Sequence, residues 1–204
     1  MKGFILSLAL FVSSSAFANV HPASDFVAKT LTKAMKILDL KSDEQRARQM
    51  CTVFKQTMAL SHVGSAWLGS YANLKRDQAG VRQFQKQMPS IMVTQLFPAL
   101  GIVEGGTFRV NPKATDLGNG RYQVAVTVKT TDGKTYNVRG KVGTHSGKLL
   151  LMDVSAMGIS AVGYIGKDFK NRFDDEYAQD PQNSLPVSAV LSQIMSSEDF
   201  IRCS

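Results

Sequence analysis

Residues 149–173 read LLLMDVSAMGISAVGYIGKDFKNRF, a strand that runs straight into a helix. The first part is apolar and strand-like. After Gly158 the apolar residues fall at Ile159, Val162, Ile165, Phe169 and Phe173, spacings of three and four that make one helical face. That face carries no nucleophile–base pair and no cluster of metal ligands. It is a surface for packing, against a core or against an apolar ligand.

Upstream of it the period is two. Phe108 and Val110, then Tyr122, Val124, Val126 and Val128, then Tyr136, Val138 and Val142 alternate with polar residues. Asn119-Gly120, Asp132-Gly133 and Ser146-Gly147 separate the runs, each a turn signal between antiparallel strands. Further upstream the period is helical. One helix covers about residues 24–40, and a second begins at Ser42, whose Gln45 three residues later completes a capping-box pattern. A third carries Val63, Trp67, Tyr71 and Leu74. A fourth, capped by Asp77, carries Val81, Phe84, Met88, Ile91, Met92 and Leu96, with a kink or restart expected at Pro89. A last helix is expected near residues 184–195. The fold class is therefore α+β: helices packed on one face of a curved antiparallel sheet of about four strands, enclosing an apolar cavity or a filled core.

The N-terminus points to export. Lys2, the apolar run Phe4–Val12 and Ala16-Phe17-Ala18 make a signal peptide, residues 1–18, cleaved after Ala18. The apolar run is too short for a bilayer span, which needs about 20 residues. One domain, residues 19–204, remains. The whole chain has 24 Lys+Arg against 16 Asp+Glu, and losing Lys2 leaves it basic. The basic residues are scattered and lack aromatic interleaving, so nucleic acid is not an expected partner; an anionic headgroup or an acidic partner suits them better, with plain solubility as the equal alternative. Cys51 and Cys203 favour an intramolecular disulfide in an oxidising compartment, with free thiols or an intermolecular link as the alternatives.

Catalysis finds no support. His21, His62 and His145 lack metal-ligand spacing, so no metal site is expected. Ser160, in Gly158-Ile159-Ser160-Ala161-Val162-Gly163, has its second glycine misplaced for a nucleophile elbow and reads as a helix cap. The chain is expected not to be an enzyme and to need no cofactor. Its apolar side is richer: Trp67, Tyr71, Phe84, Met88, Met92 and Phe97 gather on two consecutive helices, with methionine able to adapt to irregular ligands.

Two segments in order carry a family resemblance. Trp67-Leu68-Gly69-x-Tyr71, with Phe84 on the next helix, resembles the V-L-G-x-Y/W segment of the MlaC (toluene-tolerance) family of periplasmic phospholipid-binding proteins. Met152-Asp153-Val154, Gly158-Ile159-Ser160 and Phe169 are similar to that family's strand-to-helix signature, although Met157 replaces its usual acidic residue and Ile165-Gly166 its Tyr-Arg pair. The resemblance implies a periplasmic carrier with bound phospholipid as cargo. Such a carrier moves lipid between an inner-membrane ABC transporter complex and an outer-membrane lipoprotein complex. A periplasmic adaptor that docks through its basic surface without lipid is the alternative. The candidate lipid-binding residues are Val63, Trp67, Tyr71, Phe84, Met88, Met92, Val124, Val126, Val138, Val154, Ile159, Val162, Ile165 and Phe169, each with core packing as the competing role.

Overall fold

Residues 20–203 are described by the computed structural model of the chain. The expected signal peptide, residues 1–18, and its expected cleavage site lie outside the described residues. Helix α1 (Pro22–Leu38) starts with proline in its first turn, and the Nδ1 of His21 accepts the Ala23 N–H at 3.1 Å. Helix α2 (Asp43–Thr57) is capped by Ser42, whose Oγ accepts the Gln45 N–H at 3.4 Å, as the capping-box pattern predicts. Helix α3 (Leu60–Leu68) is shorter than its apolar spacing suggests. It stops at Gly69, where φ is +50°, and continues as 3-10 turns over Gly69–Asn73 and Lys75–Asp77; these still bury Tyr71. Helix α4 (Gln78–Leu100) contains both Pro89 and Pro98, and no break in the helix occurs at Pro89.

The sheet is an antiparallel meander in the order β1 to β5: β1 (Thr107–Asp116), β2 (Arg121–Lys129), β3 (Thr135–His145), β4 (Lys148–Ala156) and β5 (Ile159–Ser160). Left-handed residues close its tight turns: Asn119 and Gly120, Ser146 and Gly147, and Met157 and Gly158 all have positive φ. That last turn corrects one expectation. Met157-Gly158 folds the chain back as a hairpin, so Ile159 pairs with Ala156 in extended conformation and stands 60% exposed. Helix α5 (Ala161–Gln179) begins after it, and Ile159 is not on the buried helical face. Helix α6 (Pro186–Met195) follows.

Two irregularities shape the sheet. In β1 the register jumps from Val110↔Val126 to Ala114↔Val124, looping out Asn111-Pro112-Lys113. Proline, with no N–H to give a ladder, suits such a place, and its carbonyl accepts the His21 N–H at 2.9 Å. In β4 the register passes from Lys141↔Asp153 to Val142↔Leu151, so Met152 is an extra residue. A bulge of this kind reverses alternation locally. Leu151 and Val154 therefore both face inward, which explains why the run does not alternate in sequence.

The core divides into clusters. Helices α3 to α6 pack around Phe84, Phe169, Phe173 and Trp67. Helix α1 packs Ala23 and Val27 onto Val124, Val126, Val128 and Val142 of the sheet. A third group, around Met50, Val53 and Val93, joins α1, α2 and α4. The Cys51–Cys203 disulfide borders it, with Cα atoms 5.4 Å apart and a sequence separation of 152 between the partners. The C-terminal segment is also held by the N–H of Cys203 to Ser90 Oγ at 3.0 Å and that of Ile201 to Thr94 Oγ1 at 2.9 Å.

Asp77 departs from its expected role. It precedes α4, but its side chain makes no cap bond there. Its carboxylate, 1% exposed, instead accepts the N–H of Val187 at 2.7 Å and of Ser188 at 3.1 Å, and the Ser188 hydroxyl. These groups open α6, whose own preceding residue, Leu185, offers no side-chain cap. Side-chain oxygens at a helix N-terminus satisfy its free amides. Asp77 thus joins the start of α4 to the start of α6.

Candidate functional site: an apolar pocket under helix α1

Helix α1 crosses the inner face of the sheet. Its Phe26, Val27, Thr30 and Leu31, at the spacing of one helical face, look onto Val126 and Val128 of β2, Val138 and Gly140 of β3, and Leu151 and Val154 of β4. A pocket of about 70 Å³ lies between them. Thr30 is the one polar side chain among the described residues that line it. Gly140 helps create the space. A Cβ there would meet Leu151 Cδ1 at 3.4 Å and Val27 Cγ2 at 3.7 Å, so the missing side chain leaves room where Val138 and Val142 on either side fill it. No charge or hydrogen-bonding array points into this pocket, so it suits hydrocarbon.

The residues singled out in sequence separate into two places. Val126, Val138 and Val154 line the pocket. Val124 is fully buried beside them, within the α1–sheet cluster. Val63, Trp67, Tyr71, Phe84, Met88, Met92, Ile165 and Phe169 belong to the helical cluster, and half-buried Val162 packs against it. That cluster is filled. Trp67 stacks on Phe169 with centroids 5.1 Å apart, and Phe84 meets Phe169 and Phe173 edge-on at 5.4 and 5.7 Å. The Trp67 Nε1–H donates to the Val162 carbonyl at 2.9 Å. A Cβ on Gly166 would stand 2.6 Å from Trp67 Nε1, and one on Gly64 2.9 Å from Met88 Cγ. These two glycines let the elements approach closely, while Trp67, Tyr71, Val162 and Gly166 also line an opening of about 350 Å³ flanked by Lys167 and Lys170.

Phe26, Val27, Thr30, Leu31, Val128, Gly140 and Leu151 also line the pocket and were not among the candidates. The break in alternation at Gly140 was the available signal, since an inward position without a side chain in mid-strand marks a close approach or a space.

The family-like strand-to-helix segment has a structural task. Asp153 Oδ1 accepts the Val162 N–H at 3.2 Å, and Ser160 Oγ accepts the Gly163 N–H at 2.8 Å. Both satisfy free amides in the first turn of α5, and Ser160 is a cap with no histidine bonded to it among the described residues. Across the cluster, Tyr71 donates its hydroxyl to Asp174 Oδ1 at 2.8 Å. Burial, with the carboxylate beside it, pushes the Tyr71 phenol up to about 12. Asp174 is held below the usual carboxylate range by its bonds to Lys170 and then Tyr71.

Another opening has different chemistry. A groove of about 450 Å³ between α2 and the C-terminal segment is lined by Asp43, Glu44, Arg48 and Arg202 as well as Phe97 and Phe200, a charged lining unsuited to hydrocarbon. Among the described residues no group of three or more His, Cys, Asp or Glu is placed to hold a metal, and no helix is long and apolar enough to cross a membrane.

The fold has a solved counterpart. It is similar to a phospholipid-binding protein from Ralstonia solanacearum, whose structure was determined in complex with a phospholipid. The two share 14% sequence identity with a TM-score of 0.63, over 84% of this chain and 95% of that one. No curated protein matches the chain in sequence. The family model for the MlaC protein matches residues 27–185, which take in α1 from Val27 onward, the whole sheet and α5, and the chain therefore belongs to the MlaC family.

Proposed function

We propose that this protein is a periplasmic phospholipid carrier that holds acyl chains between α1 and the sheet. In this reading it passes lipid between an inner-membrane ABC transporter complex and an outer-membrane lipoprotein complex, and performs no covalent chemistry. The observation that carries the reading is the pocket under α1, apolar on every side but Thr30. Family membership and a similarly folded protein that binds phospholipid support it. Burying apolar surface is worth about 25 cal/mol per Å², enough for enclosed acyl chains to offset their loss from a bilayer.

Pockets that enclose small molecules commonly span about 300–1,000 Å³, so 70 Å³ admits an acyl chain only when α1 moves away from β2–β4. Val126, Val138 and Val154 then contact cargo directly. The helical candidates, Trp67, Tyr71, Phe84 and Phe169 among them, act as the wall that stays in place. Mass spectrometry of the purified, denatured protein tests the reading: phospholipid in near-stoichiometric amount is expected. Protein that is lipid-free after gentle purification, and stays so after incubation with phospholipid vesicles, would overturn it and favour an adaptor that docks through its basic surface.

A further inference from the structure

We infer that the outer side of the same sheet carries a second, separate site, which binds a phosphate group. Strand register places it. Arg121 of β2 pairs with Gly143 of β3, and Gly143 pairs with Leu150 of β4. All three lie on the face opposite Val142 and Leu151, which look toward α1. The start of α3 comes alongside because the Ala59 N–H donates to the Leu151 carbonyl at 2.9 Å. The result is a pocket of about 190 Å³ with Leu150 and Met152 among its apolar lining.

Its polar lining is one-sided. Ser61, His62, Asn119, Arg121, Thr144 and His145 all contribute, and no Asp or Glu lines it. Every one of these side chains can donate a hydrogen bond, and Arg121 brings a permanent positive charge. Arg121 uses its Nε–H on the Gly118 carbonyl at 3.4 Å, which holds the guanidinium in place while its terminal nitrogens have no bonded partner among the described residues. The imidazoles of His62 and His145 likewise have none there. Helix α3 is preceded by Ala59, which offers no side-chain cap. The first intrahelical bond is the Val63 N–H to the Ala59 carbonyl, so the Ser61 and His62 amides lie ahead of it, at the positive end of the helix beside the pocket.

A tetrahedral oxyanion answers this arrangement. It has acceptors in several directions at once, matching donors from α3, the β1–β2 turn and the β3–β4 hairpin, and the guanidinium fork recognises phosphate oxygens in pairs. Two histidines and Met152 would otherwise suggest a soft metal ion, but Arg121 in the same pocket opposes a cation and no third His, Cys, Asp or Glu joins them. The chemistry is shared by free phosphate and by a lipid headgroup. The site stands independently of the acyl pocket, on the other face of the sheet.

The test is an NMR titration of the mature protein, following the His62 and His145 imidazole signals. One arm uses inorganic phosphate and the other the soluble short-chain lipid dihexanoylphosphatidylglycerol, each against sodium chloride at equal ionic strength. Saturable shifts at both histidines are expected with at least one of them. Saturation by inorganic phosphate alone identifies free phosphate, and saturation by the lipid with displacement by phosphate identifies a headgroup. Arg121→Gln, a half-buried outward position, should weaken the binding about tenfold and leave co-purified phospholipid unchanged. His62→Ala provides a second variant outside the sheet. Shifts with neither probe beyond those given by chloride, or unchanged affinity in both variants, would overturn the proposal.

Discussion

Replacing Gly140 separates the pocket's role from the stability of the fold. The missing side chain faces Val27 across the space under α1. A Cβ added there meets its neighbours at 3.4 and 3.7 Å, ordinary contact distances, and the residue lies in extended strand backbone that a β-branched residue favours. Gly140→Val adds three carbons, worth about 2 kcal/mol if all are buried at ~0.8 kcal/mol each. Removing glycine from a strand interior contributes about 0.5–1 kcal/mol more. Against this stands a packing strain of about 1–3 kcal/mol when the added methyls crowd their neighbours. The pocket of about 70 Å³ takes up part of that strain, so the delipidated protein should gain about 1 kcal/mol. For a chain of this length that corresponds to a rise in Tm of about 2–4 °C. Bound phospholipid should fall about tenfold, because the same methyls stand where an acyl chain would lie. Urea denaturation of delipidated protein and mass spectrometry of lipid per protein give the two readouts. Full lipid occupancy in a folded Gly140→Val protein would refute the placement of the acyl chains under α1, and destabilisation beyond about 1 kcal/mol would refute the packing argument.

Asp77→Ala removes three acceptor bonds at the start of α6 and leaves buried amides unpaired; a loss of about 2–4 kcal/mol is expected in urea denaturation, with the lipid content of the folded protein unchanged. Gly166→Ala drives a methyl into the Trp67 ring, so it should destabilise by about 1–3 kcal/mol and shift the fluorescence of the single tryptophan. Reduction of Cys51–Cys203, which spans 152 residues, should lower stability by about 5 kcal/mol in the chain-entropy account, read as the difference between denaturation with and without dithiothreitol. Tyr71 has its folded-state value raised from 10 to about 12. Its contribution is therefore fully present below pH 10 and lost as pH rises toward 12, since the unfolded chain ionises first. Tyrosinate absorbance should show one of the five tyrosines titrating late, and Tyr71→Phe should flatten the alkaline stability loss.

The architecture was legible because each part of it has a periodic signal. The alternating valines of β2, the paired turn residues at Asn119-Gly120 and Ser146-Gly147, and the Ser42 cap all act locally, and all three stand where sequence places them. Asp77 shows the limit. An aspartate before a helix is read as its cap, but the amides it serves belong to α6, 110 residues along the chain, and only tertiary packing brings them near. Met152 shows another: an extra residue in one strand is defined by its partner, so the inward pairing of Leu151 with Val154 has no signature in β4 alone. Ile159 was misplaced for a simpler reason. A helical spacing was extended backward across Met157-Gly158, whose left-handed conformations form a hairpin. The separation of the apolar candidates into a filled helical cluster and a pocket was not readable at all, because hydrophobicity reports burial without reporting what does the burying.

That separation bears on how the carrier proposed above would swell without unfolding. The helical cluster is braced from several directions. Trp67 is locked between Gly166 and Phe169, Asp77 joins α4 to α6, and the C-terminal segment is fixed to α2 by the disulfide and to α4 through Ser90 and Thr94. The α1–sheet seam is built differently. Along the body of α1 it consists of apolar side chains over valines, and among the described residues its hydrogen bond to the sheet is at one end, from the His21 N–H to Pro112. Apolar contacts are non-directional and are regained when hydrocarbon replaces a valine as neighbour. A seam without polar bonds can therefore open onto acyl chains while losing little, whereas the helical cluster would strand the Trp67 indole and the α6 amides if it parted. The residues that make the family resemblance legible, Trp67, Asp153 and Ser160 among them, all lie on the braced side or tie β4 to α5. On this reading they preserve the rigid wall against which the pocket opens, and the pocket itself needs only to remain apolar.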